Sequence, residues 1–371
     1  MAFQKKEKKV KQVPSKDLAE LVKQIKAKCG VNSVTTASDY KAKPIQRISS
    51  GLLQVDWALG GGWPKGRVNL LAGEPSSCKS RLAYAMVADA QRRSRFTNQY
   101  LFEKMEPEHK VPNVCLWIDV EGAHTNEWAQ SCGVDCDALL LAQPKNQEEA
   151  CELILTSLGS NQVDLIVVDS IDALLPEEMF DQTFDEATYG TLAAKNNSKL
   201  LRKIQSLFNK QRQEDENVPT CLFLNHVKVD INKGNKTYPG GVAQRFYASV
   251  VVETSPGKVE YADSQRKVPK YRDYYFRVEK NKVAIPYRQG TFQMALSNDA
   301  NAGVKAGEFL ELQAIMKMCQ HFGCIEQTED KKVKFFDEEF DSVKEFGMKY
   351  FSSMKEDLLT KRRLLDYFLT K

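Results

Sequence analysis

The residues of this chain whose types and spacing point most directly to chemistry are Gly73-Glu74-Pro75-Ser76-Ser77-Cys78-Lys79-Ser80. They follow an apolar run, Val68 to Ala72, and precede a helical stretch, Arg81 to Arg92. Strand, loop, lysine, hydroxyl and helix in that order form a phosphate cradle. Backbone N–H groups and the helix N-terminus face the anion, Lys79 supplies charge, and Ser80 offers an oxygen to Mg²⁺. The usual P-loop pattern has glycine where Cys78 stands, and a side chain there is expected to crowd the nucleotide or strain the turn. Taken alone, the octapeptide is as compatible with a chance loop.

Two carboxylates strengthen it. Asp169 ends the apolar run LIVVD, where an acid at the C-terminal edge of a strand can orient a Mg²⁺-bound water. Glu121 follows a second such run, VCLWIDVEG, and a carboxylate beside a γ-phosphate can position or deprotonate the attacking water. Singly, the first is a common strand ending and the second reads equally as an exposed loop acid. Three groups at the ends of three expected strands are a more specific signal.

The elements that must hold these groups are legible between residues 46 and 297. Val68 to Ala72, Val114 to Asp119, Leu165 to Asp169 and Cys221 to Asn225 are apolar runs separated by helical stretches, the pattern of a mostly parallel sheet covered on both faces. Ser249 to Glu253, Tyr274 to Glu279 and Phe292 to Leu296 follow without long helices between them and predict an antiparallel extension. Residues 1–45 read as a basic arm, with Lys5, Lys6, Lys8, Lys9 and Lys11, followed by an amphipathic helix. In that helix Leu18, Leu21, Val22 and Ile25 share one face, which must dock on the main domain or on another subunit. Residues 298–371 predict a small C-terminal α+β domain: helices over Glu308 to His321, Glu339 to Ser353 and Asp357 to Leu369 around a β patch near Val333 to Phe336.

Composition sets the outer limits. The chain has 371 residues, 42% of them hydrophobic, enough for one large core and an appendage. No run approaches the roughly 18 apolar residues of a membrane-spanning helix, and MAFQKKEKKVK is no secretory signal, so a cytoplasmic protein is expected. Nine cysteines without paired CxxC spacing read as reduced thiols rather than a zinc site. The net charge of +4 is too small to argue nucleic acid by itself.

From Ile48 to Leu296, about two thirds of the chain, the sequence resembles the RecA recombinase core: ISSGLLQVDWALGGGWPKGRV, the P-loop, IDVEGAH, CGVDCDALLLAQP, VDLIVVDSIDALLP, LFLNH, GGVAQRFYASVVVE and VEKNKVAIPYRQGTFQMAL. The resemblance implies an α/β, RecA-like P-loop ATPase core that forms filaments on single-stranded DNA and exchanges strands with homologous duplex, using ATP and Mg²⁺. Single-strand-binding and mediator proteins are implied as further partners, and no membrane. It implies Gly73, Pro75, Ser76, Ser77, Cys78, Lys79 and Ser80 as the nucleotide loop, Asp169 as the second Mg²⁺ group with Ser80, and Glu121 as the catalytic carboxylate. Trp128 would stack on adenine, and Lys280 and Lys282 would reach the γ-phosphate of the neighbouring subunit. DNA would meet two loops, Pro176 to Gly190 and Val227 to Gly241, with Lys195, Arg202, Lys228, Lys233, Lys236, Gly240 and Gly241 as contacts.

Departures from the bacterial pattern are Cys78, His226 in place of the γ-phosphate-sensing glutamine, an apparent insertion over Arg95 to Val111, and the lack of an acidic C-terminal tail. His226 and a non-glycine before the P-loop lysine are similar to the UvsX recombinases of tailed phages, which implies a viral recombinase. Two other readings stay open on sequence: a DNA-coating filament whose turnover Cys78 has abolished, and a RecA-fold ring helicase or regulatory ATPase.

Overall fold

The computed structural model describes residues 15–30, 34–39, 45–93, 111–173, 175–179, 189–214, 216–229, 236–327, 332–335, 338–341, 345 and 358–371. The basic arm, the 94–110 segment, most of the first expected DNA loop, and Lys233 in the second lie outside them.

One eight-stranded sheet organises the molecule. Its strands are β3 (Val68–Gly73), β4 (Cys115–Asp119), β5 (Leu139–Ala142), β6 (Leu165–Asp169), β7 (Thr220–His226), β10 (Val250–Tyr261), β11 (Pro269–Asn281) and β12 (Gln289–Ala295), in the order β12-β11-β10-β3-β7-β6-β4-β5. From β10 to β5 every neighbouring pair is parallel, and β11 and β12 add antiparallel partners. Small two-stranded ladders join β1 (Arg47–Ile48) to β2 (Trp63–Pro64) and β8 (Lys228–Val229) to β9 (Lys236–Thr237).

The reason the central strands read as unbroken apolar runs is that both faces are buried. Leu71, Trp117, Val167 and Leu222 pack on the face covered by α3 (Lys79–Gln91) and α2 (Leu53–Leu59). Their strand neighbours Leu70, Ile118, Val168 and Phe223 pack on the other, under α5 (Gln147–Gly159) and α6 (Tyr189–Gln213). Strand β5 carries no such signature: it is the sheet edge, Leu140 and Leu141 are half-exposed, and no strand is predicted there. Strands β10 and β11 run well past their apolar halves, because each finds backbone partners in the other as far as Tyr261 and Pro269. Cross-strand pairing, not burial, extends them.

Helix α1 (Ser15–Cys29) forms where the periodicity places it; on its apolar face Leu18 and Leu21 are exposed, while Val22 and Ile25 are partly covered. At the other end, α8 (Glu311–His321), β13 (Ile325–Gln327), β14 (Val333–Phe335), β15 (Glu338–Phe340) and α9 (Leu358–Thr370) share a cluster of Ile315, Cys319, Val333, Phe335, Phe340 and Leu364 with Leu53 of α2. Only the start of the helix predicted over Glu339 to Ser353 is corrected: Glu339 and Phe340 belong to β15, paired with Lys334 and Val333, where Phe340 joins the apolar cluster. Glu345, within the predicted span, is helical, and most of the remainder lies outside the described residues.

Candidate nucleotide site

The phosphate loop leaves β3 at Gly73, where a Cβ would fall 2.5 Å from the Thr254 carbonyl oxygen on β10. Only glycine lets the loop start this close to its neighbour. Ser77 turns back to the same residue, its hydroxyl 3.0 Å from Thr254 Oγ1. Ser76 and Cys78 both have left-handed backbone, with φ of 57° and 73°. Of the two expectations for Cys78, strain of the turn is the one its left-handed backbone meets. Its side chain is directed into the core, with Sγ 3.8 Å from Met294 Sδ, and burial pushes its thiol up to about 12.

Lys79 and Ser80 open α3. Lys79 Nζ donates to the carbonyls of Gly73 at 3.1 Å and Glu74 at 2.9 Å, and burial holds its pKa below the ordinary lysine value. Ser80 Oγ donates to Asp169 Oδ2 at 2.7 Å. Asp169, at the end of β6, is raised to about 6 by burial first, with Glu121 and Asp119 adding repulsion. Two hard oxygen donors side by side on a buried, anionic edge fit Mg²⁺.

Glu121 sits just beyond β4, on a turn tied to β6 through Val120 N–H to Asp169 O at 2.8 Å. The same turn hangs from Asp119, whose carboxylate accepts the N–H groups of Ala123 and His124 at 3.1 and 3.2 Å. Across the edge, His226 ends β7 with Nε2 3.1 Å from Glu121 Oε1. His226 stands in register with Gly73, and the next residue, Val227, donates its N–H to Gly73 O at 3.1 Å. The P-loop start, the carboxylate and the base of the second loop therefore share one edge of the sheet.

The model of the RecA N-terminal domain matches residues 16–301 of this chain. Protein RecA of Streptococcus pneumoniae strain Hungary19A-6 is 30% identical over 323 residues, which span 86% of this chain and 76% of the relative. The RecA proteins of strains CGSP14 and G54 of the same species match to the same extent. The chain belongs to the RecA family. It is an ATP-dependent recombinase and DNA-dependent ATPase, working with Mg²⁺ on single-stranded and homologous duplex DNA as a self-assembled filament.

The remaining expected residues of this recombinase fall into distinct places. Trp128, on α4 (Asn126–Ser131), is 44% exposed, and the Arg81 guanidinium lies 4.3 Å from its ring centroid. Lys280 and Lys282 do not approach their own P-loop. Their ammoniums meet the carbonyls of Arg245 and Phe246 at the end of α7 (Ala243–Tyr247), with Lys280 3.1 Å and Lys282 3.3 Å from Phe246 O. Lys282 N–H donates to Ser249 O and Ser249 N–H to Val68 O, five residues before Gly73. That is about 17 Å of strand.

Among the DNA-loop residues, Lys195 and Arg202 are exposed on α6 and Lys228 is exposed on β8. Lys236 is already paired, its Nζ 2.5 Å from Glu253 Oε2. Gly240 and Gly241 pack on α6, where a Cβ on Gly241 would fall 2.9 Å from Ala194 Cβ and the carbonyl of Gly240 accepts from Asn197 Nδ2 at 3.1 Å. Their close approach is to the protein itself.

Sequence reasoning missed Tyr84 and His124. The Tyr84 hydroxyl lies 2.8 Å from His124 Nδ1, and the Tyr84 ring stacks on Trp117 at 4.1 Å. The available signal was spacing: Tyr84 lies one helical turn after Ser80, and His124 three residues after Glu121.

Proposed function

We propose that Lys79 and the loop amides hold the β- and γ-phosphates of ATP, that Ser80 and Asp169 hold Mg²⁺, and that Glu121 is the general base for the attacking water. When bound, the metal neutralises charge developing on the phosphoryl oxygens. Glu121 takes the water proton while the bond between the γ-phosphorus and its bridging oxygen breaks and the electron pair stays with ADP. With Glu121 ionised, His226 presents Nε2–H to it, and the hydrogen bond keeps the carboxylate from rotating away. His226 heads the strand that feeds the second DNA loop, so loss of the γ-phosphate changes the Glu121–His226 contact and, through Val227, the loop.

The observation that carries this reading is the convergence of Ser80, Asp169, Glu121 and His226 at one sheet edge. Lys195, Arg202, Lys228, Lys233 and Lys236 are the phosphate-contacting cations of the DNA path in this reading, Lys236 after exchanging Glu253 for DNA. Lys280 and Lys282 serve the neighbour's nucleotide, in keeping with their distance from their own. The protein acts in the cytoplasm, that of a bacterial host if it is viral, as His226 and Cys78 suggest by their likeness to phage recombinases. Mediator and single-strand-binding proteins act beside it.

The deciding experiment is strand exchange between circular single strands and linear duplex, with and without ATP, for the wild type, Lys79→Ala and Glu121→Gln. Exchange should require ATP. Lys79→Ala should lose both hydrolysis and exchange, whereas Glu121→Gln should keep ATP-dependent DNA binding and lose turnover. Wild-type hydrolysis by Lys79→Ala would refute the site.

A further inference from the structure

Arg81 is the residue immediately after Ser80, in the first turn of α3, and it is 3% exposed. A buried guanidinium ordinarily faces a carboxylate, because an unpaired buried charge is costly. Arg81 has none among the described residues. Its Nη1 donates to Ser131 Oγ at 2.8 Å and its Nη2 approaches Ser131 O at 3.4 Å, while Nε has no partner. Its flat face rests against Gly307, where a Cβ would fall at nearly equal distances, 2.8 to 3.0 Å, from three guanidinium atoms. The guanidinium also lies over the indole of Trp128, 4.3 Å from its ring centroid.

The exposures of the two residues differ sharply: the cation is buried and the indole is 44% exposed. The guanidinium therefore lies on the inner side of the ring and leaves the outer side to solvent. Ser131 joins the pair twice, accepting from Arg81 and donating from Oγ to Trp128 O at 2.7 Å. A cation held against one face of an indole fixes the ring by cation–π attraction and draws electron density towards itself. The opposite face then suits a neutral, electron-rich purine.

We propose that Arg81 is the positioning residue of the nucleobase platform: it locks Trp128 from beneath and ties that platform rigidly to the helix that carries the phosphate-binding Lys79 and Ser80. This rests on the reading of Trp128 as the adenine-stacking residue. Arg81 touches neither base nor phosphate, and it sets the distance between the two ends of the nucleotide site.

The test compares ADP with inorganic pyrophosphate binding to the full-length protein, by calorimetry, for Arg81→Met, Arg81→Lys and Trp128→Ala. Arg81→Met should weaken ADP about tenfold, the loss of one desolvated cation–π contact, and leave pyrophosphate unchanged. Arg81→Lys, which keeps a cation under the ring, should recover most of the affinity. Of the four tryptophans only Trp128 is strongly exposed, so acrylamide quenching should rise in Arg81→Met and fall again in Arg81→Lys. If Arg81→Met does not fold, Ser131→Ala removes the guanidinium's anchor and should show the same split between ADP and pyrophosphate. Equal weakening of both ligands would overturn the proposal, since the arginine would then act on phosphate or on the fold. Weak ADP binding by Trp128→Ala beside unchanged binding by Arg81→Met would overturn it too, leaving the stacking role of Trp128 standing. Unchanged ADP binding by Trp128→Ala would remove the platform itself.

Discussion

A thiol is tolerated before the P-loop lysine because the backbone there turns its Cβ away from the phosphates and into the core. Two opposing effects decide what Cys78→Gly does. Glycine removes a left-handed strain of about 1 kcal/mol, and it loses the burial of a small apolar group, worth a similar amount. Thermal melting should therefore shift by no more than a few degrees, and DNA-stimulated hydrolysis should stay near wild type. A tenfold loss of turnover would show that the Cys78 side chain has a role of its own. Lys280 supplies a pH dependence. Its pKa is drawn down to about 8, from the ordinary 10.5, by burial and then by the repulsion of Lys282 and Arg245. Between these values the unfolded chain holds a proton that the folded chain lacks, so subunit stability rises with pH across this window. Hydrolysis runs the other way if the ammonium serves a neighbour's phosphate: at subsaturating ATP it should fall as pH rises through about 8. Arginine keeps its charge there, so Lys280→Arg should flatten the alkaline fall. An unchanged profile would remove Lys280 from the chemistry.

Between elements, the contact to test is the one from α3 to the turn that carries Glu121. Tyr84 donates to His124 Nδ1 when His124 Nε2–H donates to Asn126 Oδ1 at 3.2 Å, which makes a fixed tautomer part of the link. The P-loop helix and the turn that carries Glu121 are thus joined directly as well as through β6. Tyr84→Phe keeps the stack on Trp117 and removes only the hydroxyl. It should cost about 1 kcal/mol of stability and lower kcat severalfold while KM for ATP stays constant, because phosphate binding is untouched. A change confined to KM would place Tyr84 in nucleotide binding instead.

For the whole molecule the question is who completes each active site. Lys79 and the Lys280–Lys282 pair lie at opposite ends of the same sheet, and a head-to-tail contact that brings one subunit's lysines to the next subunit's P-loop propagates into a helix. Lys79→Ala and the double variant Lys280→Ala, Lys282→Ala should each be nearly inactive alone. Mixed in equal amounts and assembling at random, they form intact sites at about one quarter of interfaces. DNA-stimulated hydrolysis should reappear on mixing. No recovery, with co-assembly verified by light scattering, would sink the shared site. Leu18 and Leu21 of α1 belong to the same scale, as two apolar side chains exposed on one helix face.

How much of this was legible in the residues depends on the range of the interactions involved. The P-loop, Asp169, Glu121 and the apolar strands are local: a strand buried on both faces must be apolar along its length, and a phosphate cradle needs its glycine, lysine and hydroxyl within one turn. That local grammar, with motifs recurring from Ile48 to Leu296, determined the family and the reaction. Other features depended on partners remote in sequence. Strand β5 is a half-exposed edge with no periodicity of its own, and Phe340 became β-structure because a distant cluster required it. The inward turn of Cys78 depended on room beside Met294, 216 residues away, and the place of Arg81 beneath Trp128 on a glycine at position 307. Composition and spacing specify which groups are present, but only long-range packing decides which atoms meet, because a side chain's direction is set by the space its remote neighbours leave it.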